Sequence, residues 1–333
     1  MKRILVALLI TLSMSLSLFA NSGESAIKTF KLNVEIETFT SEMRAELEKV
    51  GYTYIGMHEN IQDAYQKNFG STNMESLFFM SVYNPKLFSA IAKESPAVAG
   101  SLYPFTFVVH KSKKDKNTYT SYLDAPFIKA LGNFKDKKLN AMIDKEYATI
   151  AKLVSKVTKS KETKSWVSVP DKLDNAIYEY KVKIPSPDKA ERLLSLVEEQ
   201  FDNFIGAGKF INAGFRGING DLKKLGNENF NLYDEYLLCS LPISYAIFND
   251  NPQVGAFAPC PVFIYQEKGS EYLNIGVLEM NLWHKLGSIT DKETIESIDK
   301  GAKEVQFVLK YSLELALKTL NYEIMMEEDD DDL

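Results

Sequence analysis

Two cysteines, Cys239 and Cys260, carry the most reactive side chains in this sequence. Cys260 lies between two prolines, and both cysteines fall within apolar runs. Thiols on neighbouring strands form a disulfide or a redox pair when their Cα atoms lie about 5.5 Å apart. Cysteines in apolar runs more often pack as small core residues, and neither cysteine has a basic sequence neighbour that would lower its pKa. The pattern favours structural thiols and leaves a disulfide or a redox pair open.

Two carboxylates, Asp124 and Glu279, each directly follow a predicted strand. A partly buried carboxylate at a strand end can bind a cationic ligand or act as a general base. The same side chain can also cap the segment that follows or remain solvated, and this alternative is favoured. Several tyrosines, among them Tyr83 and Tyr103, fall near predicted strand ends and are candidates for lining an aromatic ligand groove, although most aromatic residues are expected to pack in the core or on the sheet.

The remaining motifs predict neither a cofactor nor a metal ion. The three histidines are scattered, and His58-Glu59 lacks the second histidine that a zinc-protease helix requires. Two cysteines are too few for a zinc ribbon or an iron–sulfur site, which use about four ligands. Five glycines between Phe204 and Leu222 fit neither nucleotide-binding fingerprint and predict a flexible loop. The sequence contains no Gly-x-Ser-x-Gly nucleophile motif.

The composition is typical of a globular protein. The chain has 333 residues, of which 45% are apolar and 25% charged, so it can bury one large core or two ordinary ones. Lys and Arg number 39 against 45 Asp and Glu, which gives a net charge of −6. This acidic balance argues against a nucleic-acid partner, whose binding depends on neutralising phosphates.

Residues 1–20 have the composition of a secretory signal peptide. Lys2 and Arg3 precede an apolar stretch over 4–18, and Ala20 supplies the small residue at the cleavage position. The stretch is short for a spanning helix and contains three serines, although an uncleaved anchor is the alternative. No later segment has about 18 consecutive apolar residues. We therefore expect a periplasmic or secreted protein without a membrane span after cleavage.

The chain carries two copies of one sequence pattern. Aligning 100–154 with 255–309 without a gap gives 11 identities in 55 positions, whereas chance would give about three. In each copy a glycine is followed four residues later by a proline that opens an apolar run: Gly100 and Pro104, then Gly255 and Pro259. The sequence therefore predicts a tandem duplication.

Both copies predict strands and helices in the same order. Alternating apolar residues predict a first strand in each copy, over 30–36 and 178–184. Short apolar runs predict further strands over 77–82, 105–109 and 119–123, and over 236–241, 262–265 and 273–278. A long amphipathic helix closes each copy, with stripes at Leu139, Ile143, Tyr147, Ile150 and Val154, and at Ile295, Ile298, Ala302, Val305 and Leu309. Successive strands flanked by helices favour the α+β class, with an antiparallel sheet covered by helices on one face.

These patterns set the expected domain boundaries. After the signal peptide at 1–20, the first α+β repeat covers 21–157 and the second covers 175–326. A linker rich in Lys and Ser joins them over 158–174. The acidic tail at 327–333 repels itself and is expected to stay extended.

The order of motifs resembles the family catalogued as domain of unknown function 302, carried here twice over nearly all of the mature chain. That family has Cys-Asn-Pro before its first helix and Pro-Cys at its second strand. The first copy has Asn84-Pro85 and Pro104, with Phe105 where the family has its cysteine.

The second copy keeps the cysteines of the family pattern. Pro259-Cys260 matches the Pro-Cys motif, while Cys239 lies one position further from Pro242 than the pattern has it. The resemblance implies a compact α+β fold with a curved antiparallel sheet, and it implies no particular activity.

Two copies of one fold in one chain mimic a symmetric dimer, so we expect an intramolecular pseudo-dimer with a ligand site at the joint. The candidate pocket residues are Asp124, Glu279, Cys260, Cys239, Pro104, Pro259 and Tyr83. No complete catalytic constellation is present in the sequence. We therefore expect non-catalytic binding or sensing of a small molecule or an envelope protein. The alternatives are a thiol-redox protein or hydrolytic enzyme that uses Cys260 with Cys239 or Glu279, and a structural envelope component.

Overall fold

A computed structural model describes residues 25–164, 169–170, 172–207 and 210–331, for a few of which the backbone alone is described. The predicted signal peptide at 1–20 lies outside these residues, as does part of the predicted linker.

Residues 25–164 form the first half, which is built on a six-stranded antiparallel sheet. Its strands are β1 (Ile27–Lys31), β2 (Thr53–His58), β3 (Met74–Tyr83), β4 (Phe105–Ser112), β5 (Tyr119–Leu123) and β6 (Glu162–Lys164). Its helices are α1 (Ile36–Lys49), α2 (Ile61–Phe69), α3 (Pro85–Glu94), α4 (Pro96–Ser101), α5 (Ala125–Gly132) and α6 (Lys137–Thr158). The strands lie in the order β2-β3-β4-β5-β1-β6.

Residues 175–331 form the second half, built on a five-stranded antiparallel sheet. Its strands are β7 (Ile177–Lys183), β8 (Ile211–Gly217), β9 (Phe230–Cys239), β10 (Cys260–Glu267) and β11 (Tyr272–Leu278). Its helices are α7 (Ala190–Gly206), α8 (Asn219–Lys224), α9 (Leu241–Phe248), α10 (Asn281–Leu286) and α11 (Lys292–Asp331), with 3-10 helices at Pro187–Lys189 and Pro252–Phe257. The strands lie in the order β7-β11-β10-β9-β8.

The two sheets have the same topology. Read from β8 to β7, the second sheet repeats the order of the first from β2 to β1. The register repeats as well, because Val108 pairs with Ser121 while Phe263 pairs with Gly276, and both residues of the second pair lie 155 positions after those of the first. The predicted α+β fold with two sheet-containing halves is confirmed.

The closing helices bury the predicted stripes. All five predicted residues of α6 are buried, and those of α11 are buried except for Ile295, which is partly buried. Helix α6 packs against α1 and β1, while α11 packs against α7 and β7. An apolar residue every three or four positions faces the sheet because an α-helix turns once in 3.6 residues.

The glycine-rich segment is not the flexible loop that its composition predicts. Residues Ile211–Gly217 form β8, and Asn219–Lys224 form α8. Strand β8 pairs with β9 through backbone groups, with a bulge between Asn212 and Gly214. The prediction was wrong because backbone pairing supplies the stabilisation that the small side chains cannot.

Three segment boundaries also differ from the predictions. Strand β1 ends at Lys31 and α1 begins at Ile36, because residues from there on bury one face at helical spacing. In the predicted linker, Glu162–Lys164 pairs with the exposed edge of β1 as β6. The predicted acidic tail continues α11 as far as Asp331, since each added helical residue gains a backbone hydrogen bond.

Where the two halves meet, each packs an equivalent element on the sheet of the other. Helix α4 of the first half packs against β10 and β11, and the 3-10 helix Pro252–Phe257 of the second half packs against β4 and β5. A Cβ atom at Gly100 would lie 2.8 Å from Glu235 Oε1 and clash with Phe263, while one at Gly255 would lie 2.6 Å from Phe79 Cε1. Glycine is required at both points because the backbone of one half approaches side chains of the other this closely.

Candidate functional site

A buried carboxyl group lies where the halves meet. Glu235 on β9 is completely buried, and neither of its carboxyl oxygens has a hydrogen-bond partner among the residues that the structure describes. Burial, with a smaller effect from the neighbouring Asp234 carboxylate, raises the pKa of Glu235 well above its ordinary value of 4.5. Burial therefore favours the neutral carboxylic acid, which both donates and accepts hydrogen bonds.

Two tyrosines of the first half lie beside this carboxyl group. Tyr83 ends β3 and Tyr103 precedes the cis bond to Pro104, and their rings meet edge to face with centroids 5.1 Å apart. Burial raises the pKa of both phenols, and the Glu235 carboxyl contributes to each rise. Both hydroxyls are buried without a hydrogen-bond partner in the described part of the chain.

Arg216 adds a guanidinium group to the cluster. It lies on β8 directly opposite Glu235 in the strand register, so both side chains leave the same face of the sheet. Its Nη2 atom binds Asp221 Oδ2 at 2.7 Å, and its Cζ atom lies 5.1 Å from the centre of the Tyr83 ring. The buried Nε–H finds no acceptor within the described residues.

We call Tyr83, Tyr103, Arg216 and Glu235 the polar junction site. A cavity of about 40 Å³ adjoins the two tyrosines, and its lining residues, which include Tyr52, Asn84 and Phe88, all belong to the first half. The cavity exceeds the roughly 15 Å³ that one water needs, so it has room for a molecule of a few heavy atoms. The site combines three hydrogen-bond donors that lack acceptors with a carboxyl group that can both donate and accept hydrogen bonds.

Of the seven residues predicted from sequence, Tyr83 lies at this site. Pro104 follows the site residue Tyr103 through a cis peptide bond and directly precedes β4. Pro259, the equivalent residue of the second half, lines a different cavity together with Cys239. The prediction thus found one side of the site, contributed by the first half.

Asp124 and Glu279 occupy equivalent positions outside the polar junction site. The backbone N–H of Asp124 donates to Ala26 O at 2.9 Å, and that of Glu279 donates to Ala176 O at 2.8 Å. The Asp124 side chain makes no capping hydrogen bond and instead pairs with Lys28 Nζ at 2.8 Å. The Glu279 side chain accepts from Gln306 Nε2 at 2.7 Å, and burial raises its pKa.

Cys239 and Cys260 are free thiols in this structure. Burial raises the pKa of Cys239 to about 11 and that of Cys260 to about 12. Because the thiolate is the nucleophile, such values oppose reactivity near neutral pH. Unreactive thiols, which the sequence favours, therefore remain the prediction for this pair.

Sequence reasoning misses Arg216 and Glu235 as site residues. Arg216 lies within the glycine-rich segment that the sequence predicts to be a loop, so the sequence offers no strand on which to place it. Glu235 directly precedes the apolar run at 236–241 and shares its buried face with Tyr233 and Leu237. A charged residue at an inward position of a strand is the signal that could have identified it.

The described residues contain neither a candidate membrane span nor a cluster of metal-binding side chains. None of their helices has both the length and the apolar character that crossing a membrane requires. No three or more His, Cys, Asp and Glu side chains among them lie close enough together to hold a metal ion.

Comparisons with known proteins find similarity to solved structures. No protein-family model matches the chain, and no curated protein matches it. A crystal structure of the uncharacterized conserved protein DUF302 from Bacillus stearothermophilus aligns with a TM-score of 0.34 and 14% identity. The alignment covers 40% of this chain and 98% of that protein.

Proposed function

We propose that this protein is an exported, non-catalytic binding module whose two halves act as a pseudo-dimer and hold one small polar molecule at the polar junction site. The observation that carries the proposal is the complete burial of Glu235 with both carboxyl oxygens unpartnered among the described residues. Buried polar groups without partners are costly, and they concentrate where a ligand supplies the missing partner.

The unpartnered groups define the ligand's chemistry. Tyr83, Tyr103 and Arg216 each offer a donor without an acceptor, while the Glu235 carboxyl offers acceptor oxygens. Arg216 is already paired with Asp221, so a charged ligand would enter this buried site without a free counter-ion, at high cost. A small neutral molecule with a carbonyl oxygen and N–H donors, such as a primary amide, satisfies both sets of groups.

The reciprocal packing of the halves supports the pseudo-dimer. Helix α4 and the 3-10 helix Pro252–Phe257 occupy equivalent positions, and each packs on the sheet of the other half. This is the arrangement of an isologous interface, in which each contact occurs twice. The same duplication supports the proposed relation to domain of unknown function 302, which would be present twice.

Acetamide is a suitable probe of the binding site. We expect it to raise the melting temperature of the protein in a saturable way, because a ligand that binds only the folded state stabilises it. Acetate and methylammonium, which carry the acceptor or the donors alone together with a charge, should produce no saturable shift. The double variant Tyr83→Phe with Tyr103→Phe should lose the effect of acetamide, while Tyr272→Phe, at an exposed tyrosine, should retain it.

The outcomes separate clearly. A saturable shift with either charged probe and none with acetamide would contradict the proposed ligand class. An acetamide shift that persists in the folded double variant would place binding elsewhere. Export is tested separately by fractionating cells and determining the amino-terminal residue, which we expect to be Asn21 in the periplasmic or secreted protein.

The alternative activity, thiol-redox or hydrolytic chemistry with Cys260, Cys239 or Glu279, receives less support. The raised pKa values of both thiols leave few thiolates near neutral pH. Mass spectrometry of the protein before and after reduction tests this alternative, since reduction of a disulfide to two thiols adds the mass of two hydrogen atoms.

A further inference from the structure

The second half has its own junction cavity, at the position equivalent to the polar junction site. This cavity has a volume of about 180 Å³ and is lined by both halves, with His58 and Phe79 from the first and Cys239, Ala258 and Pro259 from the second. We call it the apolar junction cavity. What we infer about its ligand does not rest on the function proposed above.

The strand register shows which residues correspond between the two junctions. Cys239 ends β9 as Tyr83 ends β3. Ala258 precedes the cis bond to Pro259 as Tyr103 precedes the cis bond to Pro104.

The opposing groups correspond in the same way. His58 pairs with Phe79 across β2 and β3, as Arg216 pairs with Glu235 across β8 and β9. At the apolar junction cavity, Phe79 therefore takes the place of Glu235, and His58 takes the place of Arg216.

These replacements explain why the second junction is open and apolar. Two tyrosine rings on one side are replaced by the small side chains of Cys239 and Ala258, so volume that the polar junction site fills remains empty. Phe79 occupies the position of the buried acid. Its ring forms one wall of the cavity together with the ring of Phe248, and the two ring centroids lie 5.6 Å apart. The lining residues with polar side chains include His58, Asn212 and Ser244.

We propose that the apolar junction cavity binds one small aromatic molecule with a single polar group, of about the size of indole. An engineered cavity of about 150 Å³ lined by apolar side chains stays dry and binds benzene, and this cavity is slightly larger at about 180 Å³. Aromatic rings pack favourably against other rings edge to face or offset. The imidazole of the lining residue His58 can accept or donate one hydrogen bond to the polar group of the ligand.

Indole is the probe for the first experiment, with binding measured by isothermal titration calorimetry. We expect saturable binding of one indole per chain in the wild-type protein. Ala258→Tyr places the equivalent residue of the first half in the cavity, and should reduce the affinity at least tenfold. Glu235→Gln changes the polar junction site and should leave the affinity for indole unchanged.

A second measurement does not depend on the folding of the tyrosine variant. In the variant Cys260→Ser, Cys239 is the remaining thiol, and it lines the cavity. Saturating indole should slow alkylation of Cys239 by iodoacetamide at least fivefold. Absence of saturable indole binding, unchanged affinity in folded Ala258→Tyr, or an unchanged alkylation rate would each overturn the proposal.

Discussion

Glu235→Gln preserves the size of a completely buried side chain and removes its acidity. In the wild-type protein, burial raises the pKa of Glu235 well above 4.5, so the folded protein keeps a proton that the unfolded chain releases. The free energy of unfolding therefore falls as the pH rises above the ordinary pKa of the carboxyl group, and this loss stops at the folded pKa. Glutamine has no proton to release and does not contribute to this dependence.

The expected magnitude follows from the linkage of protonation to folding. Each pH unit between the unfolded and folded pKa values lowers the free energy of unfolding by about 1.4 kcal/mol. Above about pH 4.5 the variant should therefore gain stability over the wild type by about this amount per unit. Asp234, whose burial raises its pKa from 3.8 to about 6, adds a separate slope that ends near that value.

Urea denaturation followed by circular dichroism, from about pH 4 to about pH 8, measures the difference directly. Asp234→Asn is the matched control, because it should remove only the Asp234 contribution below about pH 6 and leave the Glu235 slope, which continues above that pH. Equal pH dependence in the wild type and Glu235→Gln would refute the assignment of Glu235 as a buried carboxyl group without partners. Lower stability of Glu235→Gln than of the wild type near neutral pH would refute it as well.

Three further predictions concern the packing and the thiols. Gly100→Ala should destabilise the protein by about 1–3 kcal/mol in urea denaturation, because the new Cβ would clash where the halves meet, whereas Gly220→Ala, which has open space, should be tolerated. Lys28→Ala should lower the free energy of unfolding by about 2 kcal/mol, since it leaves the buried Asp124 without its ion pair. A loss no larger than the one expected on breaking an exposed ion pair would contradict this prediction. The Cys260 thiol, with a pKa near 12, should react with iodoacetamide about tenfold faster for each unit of rising pH; a plateau near neutral pH would contradict the assignment.

The local patterns of the sequence determined the repeated architecture. Matched glycines and prolines, short apolar runs and two long apolar stripes specify the same order of elements twice, because each pattern depends on the periodicity of its own element. The apolar run at 119–123 coincides with β5, and the stripes of α6 and α11 are buried as predicted. The general position of Tyr83 at a strand end followed from the same reasoning.

The sequence could not show what lies across the junction. The glycine-rich sequence does not predict strand β8, because the position of this strand in the sheet depends on backbone pairing with β9 and not on apolar side chains. Arg216 and Glu235 meet Tyr83 and Tyr103 only through packing of the second half on the first, over more than 100 residues of chain. Burial removes water from the Glu235 carboxyl group, and that environment, which depends on the packing of the two halves, is what makes this glutamate a candidate for binding.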